Sequence, residues 1–297
     1  MFFKKSVRFY ENLPRLVFGA IAALTVLALV SILVFLLMNG IGAFKEIGIS
    51  EFFFGSNWNP TSFHSPSWGI LSLVASTFMI SILALFIALP FGLSIAIYLS
   101  ELASRRKREI LKPLIEMISS IPSVVLGFLG ILFLAPSVAK IFNLSNGLNT
   151  LTASILVAIA ALPTIASICE DALSSVSLGL RETSFALGAT KWTTIKRIVL
   201  PAAGSGITAA TMLGLGRIIG ETMIVLMVAG NSRAFSFSFL EPIRPMTSSI
   251  AIEIKEVVVG SLHSESLFAI GFTLFVITFI INLLADILIH KNYSYEN

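Results

Sequence analysis

The sequence predicts an all-α, polytopic membrane protein with six transmembrane helices. Of its 297 residues, 56% are hydrophobic and 12% are charged, and the mean hydropathy of +0.94 is far above that of a soluble domain. Six apolar runs are long enough to cross a hydrocarbon core of roughly 30 Å at about 1.5 Å per residue. They are approximately Leu16–Met38, Trp68–Leu99, Met117–Ala139, Leu151–Cys169, Ala202–Ala229 and Leu267–Ile289.

Positive charge is distributed unevenly between the two sides of these spans. Fourteen of the twenty basic residues fall on one side. They are Lys4, Lys5, Arg8, Arg15, Arg105, Arg106, Lys107, Arg108, Lys112, Arg181, Lys191, Lys196, Arg197 and Lys291. The opposite side has Lys45, Lys140, Arg233, Arg244 and Lys255. Because cytoplasmic loops are enriched in Lys and Arg, both termini are expected in the cytoplasm. The pI near 9.3 therefore reflects membrane topology and not nucleic-acid binding.

The spans divide the chain into three segments. Residues 1–67 comprise an N-terminal cytoplasmic segment, the first transmembrane helix and an outer loop. Residues 68–290 form a five-helix core, and residues 291–297 form a cytoplasmic tail. The first apolar run follows a basic region, as in a signal peptide, but it is about 23 residues long and lacks a small-x-small cleavage site. We therefore expect an uncleaved first span.

Two outer segments have their own patterns. The run FFFGSNWNP (Phe52–Pro60) mixes aromatic residues with turn formers, which is typical of an aromatic belt at the membrane interface. Thr247–Val259 lies between Pro245 and Gly260 and predicts a short amphipathic helix. The single Cys169 cannot form an internal disulfide and is expected to be a buried structural thiol.

The stretch between the fourth and fifth spans, ETSFALGATKWTTIKRIVLP (Glu182–Pro201), predicts two short helices joined by a turn. Residues 180–187 are tolerable helix formers, and Gly188 can adopt the positive φ that ends a helix. The second helix is expected over 191–200, with Trp192, Ile195 and Val199 on one face. We call this pair of helices the knuckle. It could enter a groove on a partner, and the alternative is an amphipathic helix lying on the lipid surface.

The knuckle resembles the cytoplasmic coupling loop of ABC importer permeases. The family pattern is a Glu, two small residues, a Gly six positions after the Glu, an Ile ten positions later, and Leu-Pro. The matching residues are Glu182, Thr183, Ser184, Gly188, Ile198, Leu200 and Pro201. Thr183 and Ser184 replace the common Ala but remain small. The resemblance implies that these residues, within a coupling loop at about 171–201, connect the permease to its ATPase subunits.

The predicted fifth span contains the two charged residues Arg217 and Glu221. They are four residues apart, so both side chains are predicted to project from the same helical face. A charge at bilayer depth costs about 2.5–3.5 kcal/mol on insertion scales, so neither is expected to face lipid. They could form a salt bridge that fixes this span to its neighbours. Alternatively, Arg217 supplies positive potential for an anionic substrate while Glu221 holds it in place, and the two interpretations are compatible.

Small residues recur at four-residue spacing in the same span. Gly206, Ala210 and Gly214 form one row, and Gly216 and Gly220 form another. This small-xxx-small pattern allows close helix packing. The sequence leaves open whether the partner helix belongs to this chain or to a second membrane subunit.

The sequence lacks the motifs of several enzyme classes. There is no G-x-x-x-x-G-K-[ST] loop, and no Lys follows the glycines of GLGRIIGET. There is also no H-E-x-x-H or G-x-S-x-G motif, which argues against an intramembrane enzyme. His64, His263 and His290 are far apart in sequence, so no metal site is expected. ATP hydrolysis by this chain itself is not predicted.

Four further stretches resemble the PstC-type permease of the phosphate ABC importer. They are Trp68–Leu102, IPSVVLGFLG (Ile121–Gly130), GRIIGETMIVLMVAGN (Gly216–Asn231) and the tail from Thr247 through Leu288. The knuckle alone indicates an ABC importer permease, whereas the Gly-Glu-Thr-Met run, the long outer segment after it and the last span point to phosphate. Permeases for sulfate or molybdate share the architecture and remain alternatives. A secondary transporter is disfavoured by the Glu182–Pro201 pattern.

The resemblance implies a type I ABC importer permease (MetI-like) fold in a bacterial or archaeal inner membrane. It also implies a similar second permease subunit (PstA-type), two ATPase subunits (PstB-type) and an extracytoplasmic phosphate-binding protein (PstS-type). No cofactor is expected in this chain, since ATP and Mg²⁺ would be bound by the ATPase subunits. Arg217 and Glu221 match the family's charged pathway residues.

Overall fold

A computed structural model describes the backbone of residues 2–62, 64–234 and 236–293, and the side chains from residue 14 to residue 287 except 63, 235 and 285. Apart from one two-stranded antiparallel ribbon, β1 (Trp58–Asn59) with β2 (Ser67–Trp68), the regular elements described are helices. In chain order they are α1 (Phe2–Ile47), α2 (Ile49–Phe54), α3 (Leu71–Ile97), α4 (Arg105–Ile118), α5 (Ser123–Leu129), α6 (Ala135–Phe142), α7 (Thr150–Ser175), α8 (Leu178–Ala186), α9 (Lys191–Thr194), α10 (Leu200–Ala202), α11 (Gly204–Ile219), α12 (Met223–Val228), α13 (Met246–Glu253) and α14 (Leu262–Tyr293). Three π-helical turns, Tyr98–Leu102, Gly130–Leu134 and Ile195–Val199, continue α3, α5 and α9.

Among the described residues, five helical segments are long and apolar enough to cross a membrane. They are Pro14–Ile47, Leu71–Leu102, Ser123–Phe142, Thr150–Ser175 and Leu262–Leu284. A sixth is obtained if Lys191–Ala202 and Gly204–Ile219, which meet at 69°, are taken as one bent span. The predicted all-α membrane fold is therefore confirmed, and its fifth span is interrupted.

The third span begins later than the sequence predicted. Met117, its expected first residue, lies in α4, which ends at Ile118, and α5 begins at Ser123 after Pro122. Since the residue before a proline disfavours helical backbone, the Ile121-Pro122 step separates the two helices. Consequently α4 is an independent amphipathic helix that can carry polar groups against the spans.

Helix α7 lies at the centre of the molecule and packs against α3 and α11. Its residues Ile165, Cys169 and Leu173 are fully buried, so the prediction of a buried thiol is confirmed. A Cβ added at Gly214 would approach Ile165 to 2.5 Å, and one at Gly206 would collide with Ala172. The row Gly206, Ala210 and Gly214 therefore serves packing within the chain, whereas Gly216 and Gly220 have no such close neighbour on another helix.

A second apolar cluster joins the outer end of α1 to α13 and α14. It includes Phe52 and Trp58, which are almost fully buried, together with Met246 and Leu267. The prediction that Phe52–Pro60 forms an interfacial belt is wrong for these two aromatics, because they pack against the last span. Of the predicted tail, residues 294–297 lie outside the described part of the chain.

The expected outer helix is present but shorter than predicted. It is α13, which follows Pro245 and ends at Glu253 instead of Val259. Gly260, at φ +81°, ends the connection just before α14.

Candidate functional site

The fifth span breaks between its two charged residues. Helix α11 ends at Ile219 and α12 begins at Met223, so Arg217 lies in a helix and Glu221 lies in the break. The prediction that the two share one helical face is therefore wrong. Gly220 and Thr222 are poor helix formers, and the Glu221 carboxylate accepts a 3.3 Å hydrogen bond from the Ile224 N–H in the first turn of α12. Glu221 thus stabilises the start of a new helix.

The break is held to the outer helix α13. The Thr247 hydroxyl donates a 3.1 Å hydrogen bond to the Glu221 carbonyl, which the end of α11 leaves without a helical partner. Position 221 therefore links the interrupted span to the outer segment.

Arg217 forms no salt bridge with Glu221 or with any other carboxylate in the described part of the chain. Its guanidinium Nη1 donates a 3.0 Å hydrogen bond to the hydroxyl of Thr164, on α7. The side chain is exposed, and it lines a cavity between α4, α7 and α11. The salt-bridge interpretation is contradicted by this geometry, and the pathway interpretation stays a hypothesis.

The cavity beside Arg217 has a volume of about 410 Å³. Three hydroxyl groups line it, those of Ser119, Thr164 and Ser167, together with the carboxylate of Glu116. Ser167 donates a 3.2 Å hydrogen bond to Glu116 Oε1. We call this space the Arg217 cavity. Sequence patterns did not single out Glu116, which directly precedes the predicted third span (Met117–Ala139) and meets Ser167 only in the folded protein.

The knuckle has the predicted backbone. Helix α8 ends at Ala186, Gly188 has φ +78°, and α9 starts at Lys191. The Thr190 side chain caps α9 by accepting from the Thr193 N–H. The second helix runs on through the π-helical turn to Ala202, two residues beyond the predicted end. The turn at Gly188 is therefore confirmed.

Buried contacts hold the two arms of the knuckle together. The hydroxyls of Ser184 and Thr194 lie 2.9 Å apart and are both buried. Ile195 and Val199 are buried too, but Trp192 is 62% exposed, so the prediction that it shares their face is wrong. Of the other residues that match the coupling pattern, Ile198 and Leu200 are half-buried and Glu182, Thr183, Gly188 and Pro201 are exposed.

Arg181 anchors the base of the knuckle to the rest of the protein. Its Nη2 lies 2.7 Å from Glu101 Oε1, in the π-helical turn after α3, and 2.8 Å from the Leu173 carbonyl at the end of α7. Its Nη1 donates to the Val176 carbonyl. Both side chains of the ion pair are largely buried. Sequence reasoning missed this contact because Glu101 and Arg181 are 80 positions apart.

A buried carboxylate organises the C-terminal end of α7 as well. Glu170 has a fully buried side chain and pairs with Arg108 and, at 2.6 Å, with Lys112, both on α4. Lys112 also lies 2.7 Å from the exposed Asp171. The hydrogen bonds to Asp171 and then Glu170 raise the pKa of Lys112. These pairs fix α4 against α7 and so position Glu116.

A similar group surrounds Glu253, the last residue of α13. The side chain of Glu253, 4% exposed, accepts hydrogen bonds from Arg244 at 2.8 Å and from the Trp58 indole at 3.1 Å, and lies 2.8 Å from His263 Nε2. Arg233 Nη2 is 3.8 Å away. Burial lowers the pKa of the Arg244 guanidinium. This network joins the outer ribbon, the connection before α13 and the start of α14.

The fold and the knuckle together define an inner-membrane permease of the ABC importer class. Residues 88–292 match the family described as binding-protein-dependent transport system inner membrane component. The chain belongs to this family, whose members are transport permeases and not enzymes.

Individual relatives show which members of the family the chain resembles. The chain is 34% identical over 278 residues to the phosphate transport system permease protein PstC of Mesorhizobium japonicum, covering 84% of each chain. It is 32% identical over 300 residues to PstC of Haemophilus influenzae, covering 95% of this chain and 93% of that one. The probable ABC transporter permease protein YqgH of Bacillus subtilis is 36% identical over 272 residues, with coverage of 91% and 88%. The resemblance to PstC-type permeases is confirmed.

Solved structures support the fold. A chain from a bacterial transporter involved in the import of the acidic polysaccharide alginate matches with a TM-score of 0.61, 18% identity and coverage of 96% and 99%. The MetNI methionine ABC transporter, in an inward-facing conformation, matches with a TM-score of 0.56, 20% identity and coverage of 75% and 94%. The predicted MetI-like architecture is confirmed.

Proposed function

We propose that this chain is a phosphate-conducting permease subunit of an ATP-driven importer in a bacterial or archaeal inner membrane. The observation that carries the proposal is Arg217, a cation on the fifth span that faces a polar cavity and has no carboxylate partner in the described part of the chain. The similarity to several PstC proteins supports phosphate as the anion.

An unpaired guanidinium on a membrane span requires compensation. Facing lipid would cost several kcal/mol, and the single hydrogen bond to Thr164 leaves most of its five N–H donors available. A tetrahedral oxyanion provides both the countercharge and the acceptors, and Arg presents its donors in a planar fork that suits phosphate oxygens. We therefore assign Arg217 to the anion pathway. Glu221 acts indirectly, by ordering the start of α12.

The working assembly contains three kinds of partner. A homologous second permease subunit (PstA-type) closes the exposed side of the Arg217 cavity. Two ATPase subunits (PstB-type), which bind ATP and Mg²⁺ and perform hydrolysis, receive the knuckle through Glu182, Thr183 and the turn at Gly188, while the buried Ser184 holds its two arms together. An extracytoplasmic phosphate-binding protein (PstS-type) delivers the substrate, and both termini of this chain are cytoplasmic. Copurification of the complex, with identification of each bound subunit, tests this composition.

The pathway assignment is tested with Arg217→Gln. This change should abolish phosphate uptake by cells or proteoliposomes that contain the whole importer, because the positive charge is lost and only a shorter, neutral amide remains. The complex should still assemble, since no salt bridge is broken. Arg106→Gln, an exposed residue of α4, is the matched control and should transport normally.

The double variant Arg217→Gln with Glu221→Gln distinguishes a role of Arg217 in transport from simple neutralisation of Glu221. If the two charges only neutralised each other, removing both would restore uptake. Phosphate uptake at the wild-type rate by the double variant would therefore refute the pathway role of Arg217.

Coupling through the knuckle is tested at Gly188. Its φ of +78° costs a residue with a side chain roughly 1–2 kcal/mol in the left-handed region, so Gly188→Trp should distort the turn and reduce uptake relative to ATP hydrolysis. Gly179→Trp, on α8 of the same knuckle, has equal open space around its Cβ and no positive φ. It should disturb coupling less. Equal uptake by wild type and Gly188→Trp would contradict the coupling role.

Sulfate and molybdate importers are the second candidate, because other members of the family share this architecture. The Arg217 cavity favours phosphate because it also contains the carboxylate of Glu116, which can accept a hydrogen bond from a protonated oxyanion. Competition of labelled phosphate uptake by unlabelled sulfate or molybdate distinguishes these substrates.

A further inference from the structure

The Arg217 cavity contains a carboxylate, which is an unusual group in a path for anions. Glu116 lies in the last turn of α4 and lines the same space as Arg217. We propose that Glu116 makes this cavity selective for an oxyanion that carries a proton, such as phosphate near neutral pH, over a fully deprotonated one such as sulfate. This inference rests on the proposed function, because it concerns the anion that Arg217 attracts.

Helix α7 supplies a hydroxyl partner to each of the two charged groups that line the cavity. Thr164 accepts from Arg217, and Ser167, one turn further along the same face, donates to Glu116 Oε1. In the described part of the chain, Arg217 and Glu116 form no salt bridge, and the Glu116 carboxylate accepts a hydrogen bond from no side chain other than Ser167. The cavity therefore offers a cation and a carboxylate with free acceptor capacity to the same ligand.

The position of Glu116 is fixed by the rest of α4. Arg108 and Lys112, two turns and one turn earlier respectively, are bound to the buried Glu170 near the C-terminal end of α7. These ion pairs hold α4 against α7, and the hydrogen bond from Ser167 to Glu116 is a further contact between the two helices. The exposed Glu116 side chain thus lies at the cavity on a helix that is anchored to α7, and Ser167 holds its carboxylate there.

An ionised carboxylate can accept hydrogen bonds but cannot donate them. Near neutral pH, phosphate still carries at least one P–OH, which can donate to Glu116 while its other oxygens accept from Arg217. Sulfate has no O–H and would place a bare oxygen against the carboxylate, where like charges repel. A hydrogen bond to a charged group corresponds to a factor of roughly ten to a hundred in affinity. Repulsion of the wrong anion adds to this selectivity.

Binding to the purified permease–ATPase complex, without the binding protein, tests the inference directly. Equilibrium binding of labelled inorganic phosphate is measured with unlabelled phosphate or sulfate as competitor. For wild type, we expect sulfate to compete at least about tenfold more weakly than phosphate. Glu116→Gln should bring the two competitors to within about threefold of each other, since the amide can donate to a sulfate oxygen. Glu109→Gln, an exposed carboxylate on the same helix, is the control and should leave the wild-type preference unchanged.

Two results separate this inference from the proposed function. If Glu116→Gln keeps the wild-type preference for phosphate while Arg217→Gln loses phosphate binding, Glu116 is not the selective group and the pathway proposal stands. If Arg217→Gln binds phosphate as wild type does, or if wild type binds no phosphate at this cavity, both proposals fail.

Discussion

The outer end of the protein and the interior of its fifth span hold buried or membrane-embedded charge in opposite ways. At the outer end, Glu253 meets Arg244, Arg233, His263 and the Trp58 indole. In the fifth span, Arg217 donates to a neutral hydroxyl and has no carboxylate partner among the described residues. A charge satisfied by its own protein can serve stability, whereas a charge left unpaired beside a cavity is available for a ligand. Mutations at the two places should therefore differ in what they damage.

The largest loss of stability is expected from Glu253→Gln. Arg244 is 11% exposed in its side chain and would remain buried without its countercharge. Breaking such a pair costs about 3–5 kcal/mol in unfolding free energy. Thermal unfolding of the chain in a fixed detergent measures the effect, and Glu256→Gln, on an exposed residue of the same connection, serves as control. An unchanged unfolding temperature for Glu253→Gln would show that the outer network is not structural.

A smaller loss is expected from Glu170→Gln at the cytoplasmic end. Its partners Arg108 and Lys112 are 39% and 28% exposed, so they can regain water when the carboxylate is removed. We expect roughly 1–3 kcal/mol, by the same unfolding measurement. The matched change Asp171→Asn removes a 65% exposed partner of Lys112 and should cost at most about 1 kcal/mol. If Asp171→Asn were the more damaging change, burial would not be what distinguishes these carboxylates.

The smallest effect on stability is expected at Arg217. Arg217→Gln removes one hydrogen bond to Thr164 and should change the unfolding free energy by about 1 kcal/mol or less, although the same variant is expected to abolish uptake. Strong destabilisation by this single change would mean that Arg217 supports the fold, and the contrast with Glu253 would then disappear.

Local sequence patterns predicted the knuckle well. The turn at Gly188 and the two helices around it depend on backbone propensities and capping within about a dozen residues. Such local preferences can be read from the neighbouring residues alone. The apolar spans could be predicted equally well, because the thickness of the hydrocarbon core sets their length.

The contacts between distant segments could not be predicted in the same way. Arg181 meets Glu101, and Glu116 meets Ser167, only because α3, α4 and α7 are packed together. The four-residue spacing of Arg217 and Glu221 was misleading, since it assumed a helix that ends at Ile219. One signal was present: Gly220 and Thr222 flank Glu221, and both residue types weaken a helix.

Cys169, the single cysteine of the chain, lies on α7 and is completely buried in the apolar core. A water-soluble maleimide cannot reach a thiol enclosed by apolar side chains. The wild-type protein is therefore already a low-background host for site-directed labels, and no cysteine-free version has to be engineered. A new cysteine at exposed Ser104 or Ser238 would report its side of the membrane directly. Thr194 would be a poor reporter for the cytoplasmic loop, because its side chain is enclosed in the knuckle, and the neighbouring exposed Lys191 is the better choice.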